Sequence, residues 1–396
     1  MAPLAIRAYT ATTALGRGRE AQRRALRERR GGLRRNDLPV LAPDQAPLDC
    51  WIGRVAGLEE LALPAELARW ECRNNRLAWL ALQQDGLRAA IDAAVARHGA
   101  ARVAVVIGTS TASIAATEEG YARLEDGAMP ADLRRPLIHT PHSPGVFVQA
   151  ATGLRGPCVT IATACSSSAK VFAQAARLIE ADLCDAALVG GIDTLCGSVL
   201  FGFNSLQLVS PEPCRPFDAA RTGLSLGEAG GYALLERATA DDALLLRGYG
   251  ESSDAHHMST PHPQGLGAQL AMRDALARAG LPPEQVDYLN LHGTATPAND
   301  SVEALAVAAL FPDSLHASST KGWTGHTLGA AGIVESVFAL LALEHGELPG
   351  ILNSTTPDPA CGPQIRFEAA QRTIGNAMNN SFGFGGNNCS LVFGRA

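Results

Sequence analysis

The sequence predicts an α/β fold with two similar halves. Residues 157–192 have the hydrophobic pattern of a strand, a helix and a further strand, and residues 286–345 repeat this alternation. A short glycine-led sequence follows the first strand of each half, Gly108-Thr-Ser-Thr in one and Gly293-Thr-Ala-Thr in the other. Strands that alternate with helices usually pair in parallel through right-handed crossovers. We therefore expect two duplicated α/β units related by a pseudo-two-fold axis.

The first half begins with a β-branched strand at residues 103–107. Residues 157–163 alternate in polarity and predict a strand that leads to Cys165. Residues 166–183 predict a helix, and residues 185–192 predict the next strand. The helix places its apolar residues on one face, namely Val171, Phe172, Ala175, Leu178 and Ile179.

The second half shows the same alternation. Its elements are predicted at residues 286–291 (strand), 300–311 (helix), 315–320 (strand) and 329–345 (helix). We expect the boundary between the halves within residues 236–243, which gives an N-terminal unit of residues 1–240 and a C-terminal unit of residues 241–396.

Size and composition indicate a compact soluble enzyme. The chain has 396 residues, of which 46% are hydrophobic and 18% are charged, and its net charge of −6 argues against general nucleic-acid binding. No apolar run approaches the roughly 20 residues that a membrane helix requires, and the N-terminus lacks a signal-peptide pattern. We expect a cytoplasmic protein that binds neither nucleic acid nor membrane.

The distribution of cysteine, lysine and arginine is uneven. The nine cysteines are scattered without Cys-x-x-Cys pairs, which fits free thiols in a reducing compartment. Lys170 and Lys321 are the only lysines, whereas nine arginines fall within residues 17–35. That arginine-rich stretch is either a solvated helix face or a surface for an acidic partner.

Cys165 is the candidate nucleophile. It lies where a predicted strand meets the first turn of a predicted helix, followed by three serines. A helix N-terminus carries partial positive charge, which favours thiolate and is expected to lower the pKa of this thiol. A core cysteine would be the commoner explanation for one such residue alone. Other reactive residues at strand ends favour catalysis here, because ligands bind at that edge of an open α/β sheet.

Two histidines and a lysine follow other strands. His292 directly follows a strand, and Lys321 opens the sequence Lys-Gly-Trp-Thr-Gly-His, which ends at His326. Two neutral imidazoles can donate hydrogen bonds to a thioester carbonyl as it gains enolate character. Lysine is a compact charge with a tunable pKa, and Glu335 in the next helix can pair with it.

The C-terminal sequence Asn380-Ser-Phe-Gly-Phe-Gly-Gly-Asn-Asn is rich in glycine. Glycine permits close approach of the backbone, so an N–H group here can donate into an oxyanion hole. A turn between two C-terminal strands is the alternative interpretation.

Together these segments resemble the β-ketoacyl-acyl carrier protein synthases, the elongating condensing enzymes with a thiolase-type fold. Gly153-Leu-Arg-Gly-Pro, Arg215-Pro-Phe-Asp and Ser253-Asp-Ala-His-His-Met add to the resemblance, which covers nearly the whole chain. It implies a layered α-β-α-β-α core. It also implies a decarboxylative Claisen condensation, in which an acyl group on the enzyme is joined to a malonyl unit to give a 3-oxoacyl-carrier product.

The resemblance implies a role for individual residues. Cys165 accepts the acyl group, while His292 and His326 serve decarboxylation and condensation. Lys321 orders the two histidines, with Glu335 in support. Phe384 is the gate between the acyl and malonyl sites, and the backbone N–H groups of Cys165 and Phe384 form the oxyanion hole. Substrate contacts are expected at Thr294, Thr296, Phe382, Thr111 and Phe203.

Partners and bound groups also follow from the resemblance. Contacts with an acidic acyl carrier protein are expected at Arg73, Arg134 and Arg135. Some relatives hold a monovalent cation at the positions of Asn290, Glu335 and Ser381; no other metal is expected. No cofactor is expected either, because phosphopantetheine arrives on the carrier. We expect a dimer, either of identical chains or with a second ketosynthase-like chain.

Several positions depart from the family pattern. Thr111 stands where fatty-acid enzymes place an apolar residue at the floor of the acyl pocket, and a hydroxyl there is costly unless it is paired. Gly322-Trp323, Asn387 and Thr222 differ as well. These differences favour a specialised pathway, aryl polyene or type II polyketide synthesis, over fatty-acid elongation.

Two further functions are weighed as alternatives. Non-catalytic chain-length subunits of ketosynthase heterodimers lack the nucleophile, whereas this chain retains it. A degradative thiolase uses a second cysteine near the C-terminus; Cys389 is nearby, but the Gly-Asn-Asn sequence before it fits that class poorly.

Overall fold

The computed structural model describes residues 1–39, 46–240 and 242–396. Its strands are β1 (Leu4–Thr13), β2 (Gly16–Arg17), β3 (Leu33–Arg35), β4 (Trp51–Gly53), β5 (Val103–Gly108), β6 (Cys158–Ile161), β7 (Ala186–Asp193), β8 (Leu226–Gly227), β9 (Ala229–Arg237), β10 (Leu244–Ser253), β11 (Tyr288–Asn290), β12 (His316–Ser318), β13 (Glu347–Leu348), β14 (Ala370–Gln371), β15 (Asn376–Gly383) and β16 (Asn387–Arg395). Its helices are α1 (Arg19–Arg27), α2 (Arg73–Leu82), α3 (Leu87–His98), α4 (Ile114–Ala122), α5 (Ser143–Thr152), α6 (Ser167–Glu180), α7 (Gly197–Ser205), α8 (Leu266–Ala279), α9 (Pro297–Ala308), α10 (Lys321–Thr324) and α11 (Ala331–His345).

The large sheet has the duplicated topology that the sequence predicted. Its order is β12-β11-β15-β16-β10-β1-β9-β7-β5-β6, with β2 paired to β1. Each half contributes five strands to this order. In both halves, the strand that comes first in sequence is followed across the sheet by that half's fifth, fourth, second and third strands. The second strand of each half in sequence order, β5 in one and β11 in the other, is parallel to both of its neighbours. The last strand of each half, β9 and β16, is antiparallel to both of its neighbours.

The halves join along their equivalent first strands. Leu4 of β1 lies opposite Leu246 of β10, and the two strands run antiparallel. The predicted boundary near residue 240 falls in the connection from β9 to β10, where residue 241 lies outside the described residues. Its use as a domain boundary stays a prediction.

Helices form the middle and outer layers. α6 and α11 pack against each other between the two halves of the sheet, while α2 and α5 cover one outer face and α8 covers the other. Residues 328–345 are apolar enough to cross a membrane by composition, but 89% of that segment is buried in the protein core. The five layers confirm the predicted α-β-α-β-α core.

Two surface features of the sequence find an explanation in the fold. The arginine-rich stretch forms α1, whose Gln22 and Ala25 face the core while Arg24 and Arg27 are exposed. This exposure fits both a solvated helix face and a surface for an acidic partner, and the choice between them stays a prediction. Lys170 on α6 forms an ion pair with Glu251 on β10 at 3.6 Å, so this lysine ties a central helix to the sheet.

Candidate active site

Cys165 lies in a tight turn between β6 and α6 and is 6% exposed. Ala164 before it has a φ of +51°, a conformation that is rare for residues with a β-carbon. The Ser167 hydroxyl holds the turn, since it donates to the Ala164 carbonyl at 2.6 Å and accepts from the Thr163 N–H at 2.9 Å. Backbone strain of this kind is concentrated at functional sites. The turn presents the sulfur at the start of α6, as the sequence predicted.

Both predicted histidines lie beside this sulfur. His326 Nε2 is 2.9 Å from Cys165 Sγ, and a side-chain donor atom from each of Cys165, His292 and His326 lies within 4.8 Å of the other two. The imidazole centroids are 5.4 Å apart and the rings are nearly perpendicular, at 87°. One sulfur and two imidazoles from three segments that are distant in sequence therefore lie close together.

The histidine backbones are fixed by buried hydrogen bonds. Glu303 on α9 accepts the N–H groups of His292 at 2.8 Å and of Gly293 at 2.7 Å, and the His326 N–H donates to the Ser225 carbonyl at 2.7 Å. Sequence reasoning missed Glu303, although an acid in the helix after the His292 turn was an available signal.

Both imidazoles are neutral near pH 7. Burial and the Lys321 charge lower the pKa of His292 and of His326 well below 6.5. Lys321 Nζ lies 3.4 Å from His292 Nδ1. Because an ammonium group only donates, that Nδ1 accepts and the ring proton is on Nε2. The N–H donor of His292 is therefore at Nε2, the ring nitrogen that does not contact Lys321.

Lys321 is 1% exposed at the start of α10. Its ammonium contacts the Glu335 carboxylate and the His292 carbonyl oxygen. Burial raises the pKa of Glu335 to about 7, and the lysine charge opposes that rise. A compact ammonium satisfies these acceptors from one point, which explains a lysine in a chain that otherwise uses arginine.

The expectation of a lowered thiol pKa at Cys165 is wrong. Burial raises this pKa to about 12, and it outweighs the lowering by the Lys321 charge and by a hydrogen bond from the Phe384 backbone N–H. The thiol is therefore protonated near pH 7. The neutral Nε2 of His326 is the nearby base that can take its proton.

Phe384 combines the two features predicted for the glycine-rich segment. It begins the turn Phe384–Gly386 between β15 and β16, and its N–H points at the Cys165 sulfur. Its ring stacks on Phe203 with centroids 5.6 Å apart. A β-carbon on Gly383 would lie 2.8 Å from the Thr163 carbonyl oxygen, so glycine lets this segment approach the nucleophile turn closely.

A cavity of about 350 Å³ opens over the catalytic residues. Thr294, Thr296, Phe203 and Phe382 line it, together with the apolar Leu206, Leu208 and Leu224. The hydroxyls of the two threonines lie 2.9 Å apart. The lining therefore offers both polar groups and apolar surface, which suits an acyl chain on a polar tether.

Thr111 is placed differently from the other predicted substrate contacts. It is 2% exposed and absent from the cavity lining, and its hydroxyl donates to Asp193 at 2.8 Å. The hydroxyl is therefore paired inside the protein. A role for Thr111 at the substrate stays a prediction.

The three arginines predicted to contact the carrier protein differ in their exposure and in their hydrogen-bond partners. Arg73 forms a two-pronged ion pair with Glu228, whose side chain is 0% exposed, and also contacts Glu59. Arg134 is exposed and donates to the Met129 carbonyl, while Arg135 donates to backbone carbonyls. Arg73 is therefore a structural ion-pair residue, and the other two keep side chains near the surface.

The candidate cation residues fit an oxygen-binding ion. Asn290 Oδ1, Glu335 Oε2 and Ser381 Oγ are all buried and lack a hydrogen-bond partner among the described residues. Unpaired buried oxygens are costly, and a monovalent cation would satisfy them with the oxygen ligands that hard cations prefer.

Two family models cover most of the chain. The model described as "Beta-ketoacyl synthase, N-terminal domain" matches residues 72–241, and "Beta-ketoacyl synthase, C-terminal domain" matches residues 244–355. The chain belongs to the β-ketoacyl synthase family. This ketosynthase is therefore a condensing acyltransferase with a thiolase-type fold.

Individual relatives agree with that membership. The mitochondrial 3-oxoacyl-[acyl-carrier-protein] synthase of Arabidopsis thaliana is 40% identical over 61% of this ketosynthase and 57% of the relative. The 3-oxoacyl-[acyl-carrier-protein] synthase 2 of Coxiella burnetii is 36% identical over 75% of the chain and 76% of the relative. One chain of the solved complex of a ketosynthase (ApeO) with its chain length factor (ApeC) from Xenorhabdus doucetiae is 36% identical, with a TM-score of 0.91 over 100% of this chain and 98% of that one.

Proposed function

We propose that this ketosynthase joins an acyl group held on Cys165 to a malonyl unit delivered by an acyl carrier protein. The observation that carries the proposal is the 2.9 Å contact between Cys165 Sγ and His326 Nε2 at a cavity that also holds His292. In acyl transfer, His326 accepts the thiol proton while the sulfur attacks the thioester carbon. The carrier thiol then leaves with that proton.

Condensation follows on the malonyl-carrier. Its carboxylate leaves as carbon dioxide, and the bonding electron pair becomes an enolate on the thioester carbonyl. His292 donates to this oxygen from its Nε2–H, and His326 donates once its ring proton has moved from Nδ1 to Nε2. Both hydrogen bonds stabilise the oxygen where charge develops. The enolate carbon attacks the acyl-enzyme, and the oxyanion is held by the N–H groups of Cys165 and Phe384. Collapse releases a 3-oxoacyl-carrier and the Cys165 thiolate, which takes up a proton from water to restore the resting thiol.

The direct test uses purified protein with acyl-carrier and malonyl-carrier. Mass spectrometry is expected to find one acyl adduct on Cys165, followed by a 3-oxoacyl-carrier two carbons longer. An acyl adduct on another cysteine would contradict the assignment of the nucleophile. Release of carbon dioxide without a longer product would contradict the condensation.

For the pathway, we propose a specialised type II system making an aryl polyene or polyketide. Support comes from the 36% identity, over the whole chain, to one chain of a solved complex between a ketosynthase and its chain length factor. Thr111 supports it less than the sequence suggested, because its hydroxyl bonds to Asp193. Comparing turnover of saturated and polyunsaturated acyl-carriers tests this; a preference for saturated chains would favour fatty-acid elongation.

The partner we propose is a chain-length-factor-like subunit, which would make the functional dimer a heterodimer. Co-expression with such a subunit is expected to give a stable two-chain complex in light scattering after size-exclusion chromatography. A stable dimer of identical chains that is fully active would contradict this. The carrier is expected to dock near Arg134 and Arg135.

Two alternative functions have less support. A non-catalytic chain-length subunit has no use for the Cys165, His292 and His326 cluster. A degradative thiolase needs a second cysteine at the site, but Cys389 is fully buried in β16 and absent from the cavity lining. Turnover of acetoacetyl-coenzyme A would restore the thiolase interpretation.

Location and bound groups are proposed on chemical grounds. The nine cysteines are free thiols, which supports a cytoplasmic location. The proposed reaction needs no resident cofactor, since the pantetheine arrives on the carrier. Asn290, Glu335 and Ser381 would hold a monovalent cation, which would supply positive charge beside Glu335.

A further inference from the structure

Asp193 is a buried carboxylate with an unusual set of neighbours. It ends β7, is 0% exposed, and accepts hydrogen bonds of 2.6 to 2.9 Å at both oxygens. Its donors are the hydroxyls of Thr109, Ser110 and Thr111 and the backbone N–H groups of Ser110, Thr111 and Gly329. Within residues 1–39, 46–240 and 242–396, no arginine, lysine or histidine forms an ion pair with it. Hydrogen bonds alone therefore compensate for its burial.

These donors come from both halves of the fold. Residues 109–111 follow β5 in the first half, whereas Gly329 lies three residues after His326 in the second. Leu328 between them has a φ of +59°, so the backbone after His326 is held in an unfavourable conformation. A β-carbon on Gly329 would lie 2.7 Å from an Asp193 oxygen. One carboxylate thus joins the β5 loop to the backbone that carries His326.

We propose that Asp193 is a positioning residue for the condensation. By holding the Gly329 N–H, it fixes the turn that places His326 Nε2 against the Cys165 sulfur. Thr111 then serves Asp193 and not the substrate. This inference rests on the proposed reaction, and its mechanism is geometric, since Asp193 itself does not line the cavity.

The main test is Asp193→Asn. An amide presents an N–H₂ group toward backbone N–H groups that can only donate, so the ring of donors cannot be satisfied. A displacement of about 1 Å at a catalytic group can cost about a hundredfold in rate. We expect kcat per titrated Cys165 to fall by about that factor, with KM for malonyl-carrier unchanged.

Dividing the rate by the number of titrated Cys165 sites distinguishes a positioning role of Asp193 from a purely structural one. A purely structural role would reduce the fraction of protein whose Cys165 reacts with acyl-carrier, but each remaining site would turn over at the wild-type rate. Unchanged kcat per titrated site in Asp193→Asn would overturn the inference. An inactive wild-type protein would instead count against the proposed function itself.

Two matched pairs cover the case in which Asp193→Asn fails to fold. Thr109→Val removes a donor to Asp193, while Thr109→Ser keeps it, so serine is expected to restore the kcat that valine loses. Gly329→Ala pushes a methyl group against Asp193, whereas Gly375→Ala adds one at an exposed position 3.7 Å from its nearest neighbour. Equal kcat within each pair would contradict a positioning role.

Discussion

His326 Nε2 lies 2.9 Å from Cys165 Sγ across 161 positions of sequence. At this distance the two groups share one hydrogen bond, and their pKa shifts decide where the proton lies. Burial raises the pKa of the thiol to about 12 and lowers the pKa of the imidazole well below 6.5. The resting pair is therefore a neutral thiol beside a neutral base, ready for proton transfer when a thioester arrives.

Cys165→Ala is expected to separate the two half-reactions. The variant loses acyl transfer completely, because no other thiol reaches the cavity among the described lining residues. It keeps malonyl decarboxylation, because that step uses the imidazole donors and not the sulfur. Mass spectrometry of the acyl adduct and measurement of carbon dioxide release check both halves.

Cys214→Ala is the matched control for that variant. Cys214 is also buried near the site, where its thiol donates to the Lys321 carbonyl at 3.3 Å. It does not line the cavity, so the acyl adduct should form in this variant as in the wild type. Loss of the adduct in Cys214→Ala but not in Cys165→Ala would reverse the assignment.

The sequence predicted the composition of this site better than its electrostatics. Strand ends locate Cys165, His292 and Lys321, because side chains after parallel strands collect at one sheet edge. The raised thiol pKa could not be read from the sequence, since it depends on burial by residues that are distant along the chain. The same applies to Asp193, whose donors come from two halves that the sequence alone does not bring into contact.

The pH dependence of Cys165 alkylation tests the raised pKa. Since the thiolate is the reactive form, its fraction grows about tenfold per pH unit while the pH stays below the pKa. We expect the iodoacetamide rate at Cys165 to rise without a plateau from pH 7 to 9, with the fold monitored by circular dichroism. A plateau below pH 8 would indicate the lowered pKa that a helix N-terminus predicts. Peptide mass spectrometry distinguishes Cys165 from the other cysteines.

Lys321→Met is expected to cost both stability and decarboxylation. It leaves Glu335 buried without its cation, and breaking a buried ion pair in this way destabilises proteins by about 3–5 kcal/mol. It also removes the donor at His292 Nδ1, so this ring is no longer held in one tautomer. Urea unfolding and carbon dioxide release measure the two effects.

The double variant Lys321→Met/Glu335→Met distinguishes these effects. Replacing both charges with apolar side chains removes the stranded carboxylate, so much of the lost free energy of unfolding should return. Decarboxylation should stay low, because the ordering of His292 is still missing. Recovery of both stability and activity would show that the lysine has only a structural role.

Truncation of Arg73 is expected to lower stability, whereas truncation of Arg134 is expected to weaken carrier binding. Arg73→Ala strands the fully buried Glu228 carboxylate, whose remaining donors among the described residues are the N–H groups of Val55 and Leu195. We expect a loss of about 3–5 kcal/mol in the free energy of unfolding. KM for the carrier should be unchanged in the protein that remains folded, because this guanidinium is committed to Glu228 and Glu59.

Arg134→Ala is the matched comparison at an exposed position. Its guanidinium donates to the Met129 carbonyl and forms no ion pair within the described residues, so the free energy of unfolding should change by no more than about 0.5 kcal/mol. If the acidic carrier docks here, KM for acyl-carrier rises in this variant. The difference in KM from wild type shrinks as salt is added, because salt screens the attraction between exposed charges at the edge of an interface. An unchanged KM for Arg134→Ala together with a raised KM for folded Arg73→Ala would place the carrier beside Arg73, and would mean that carrier binding breaks the Glu228 ion pair.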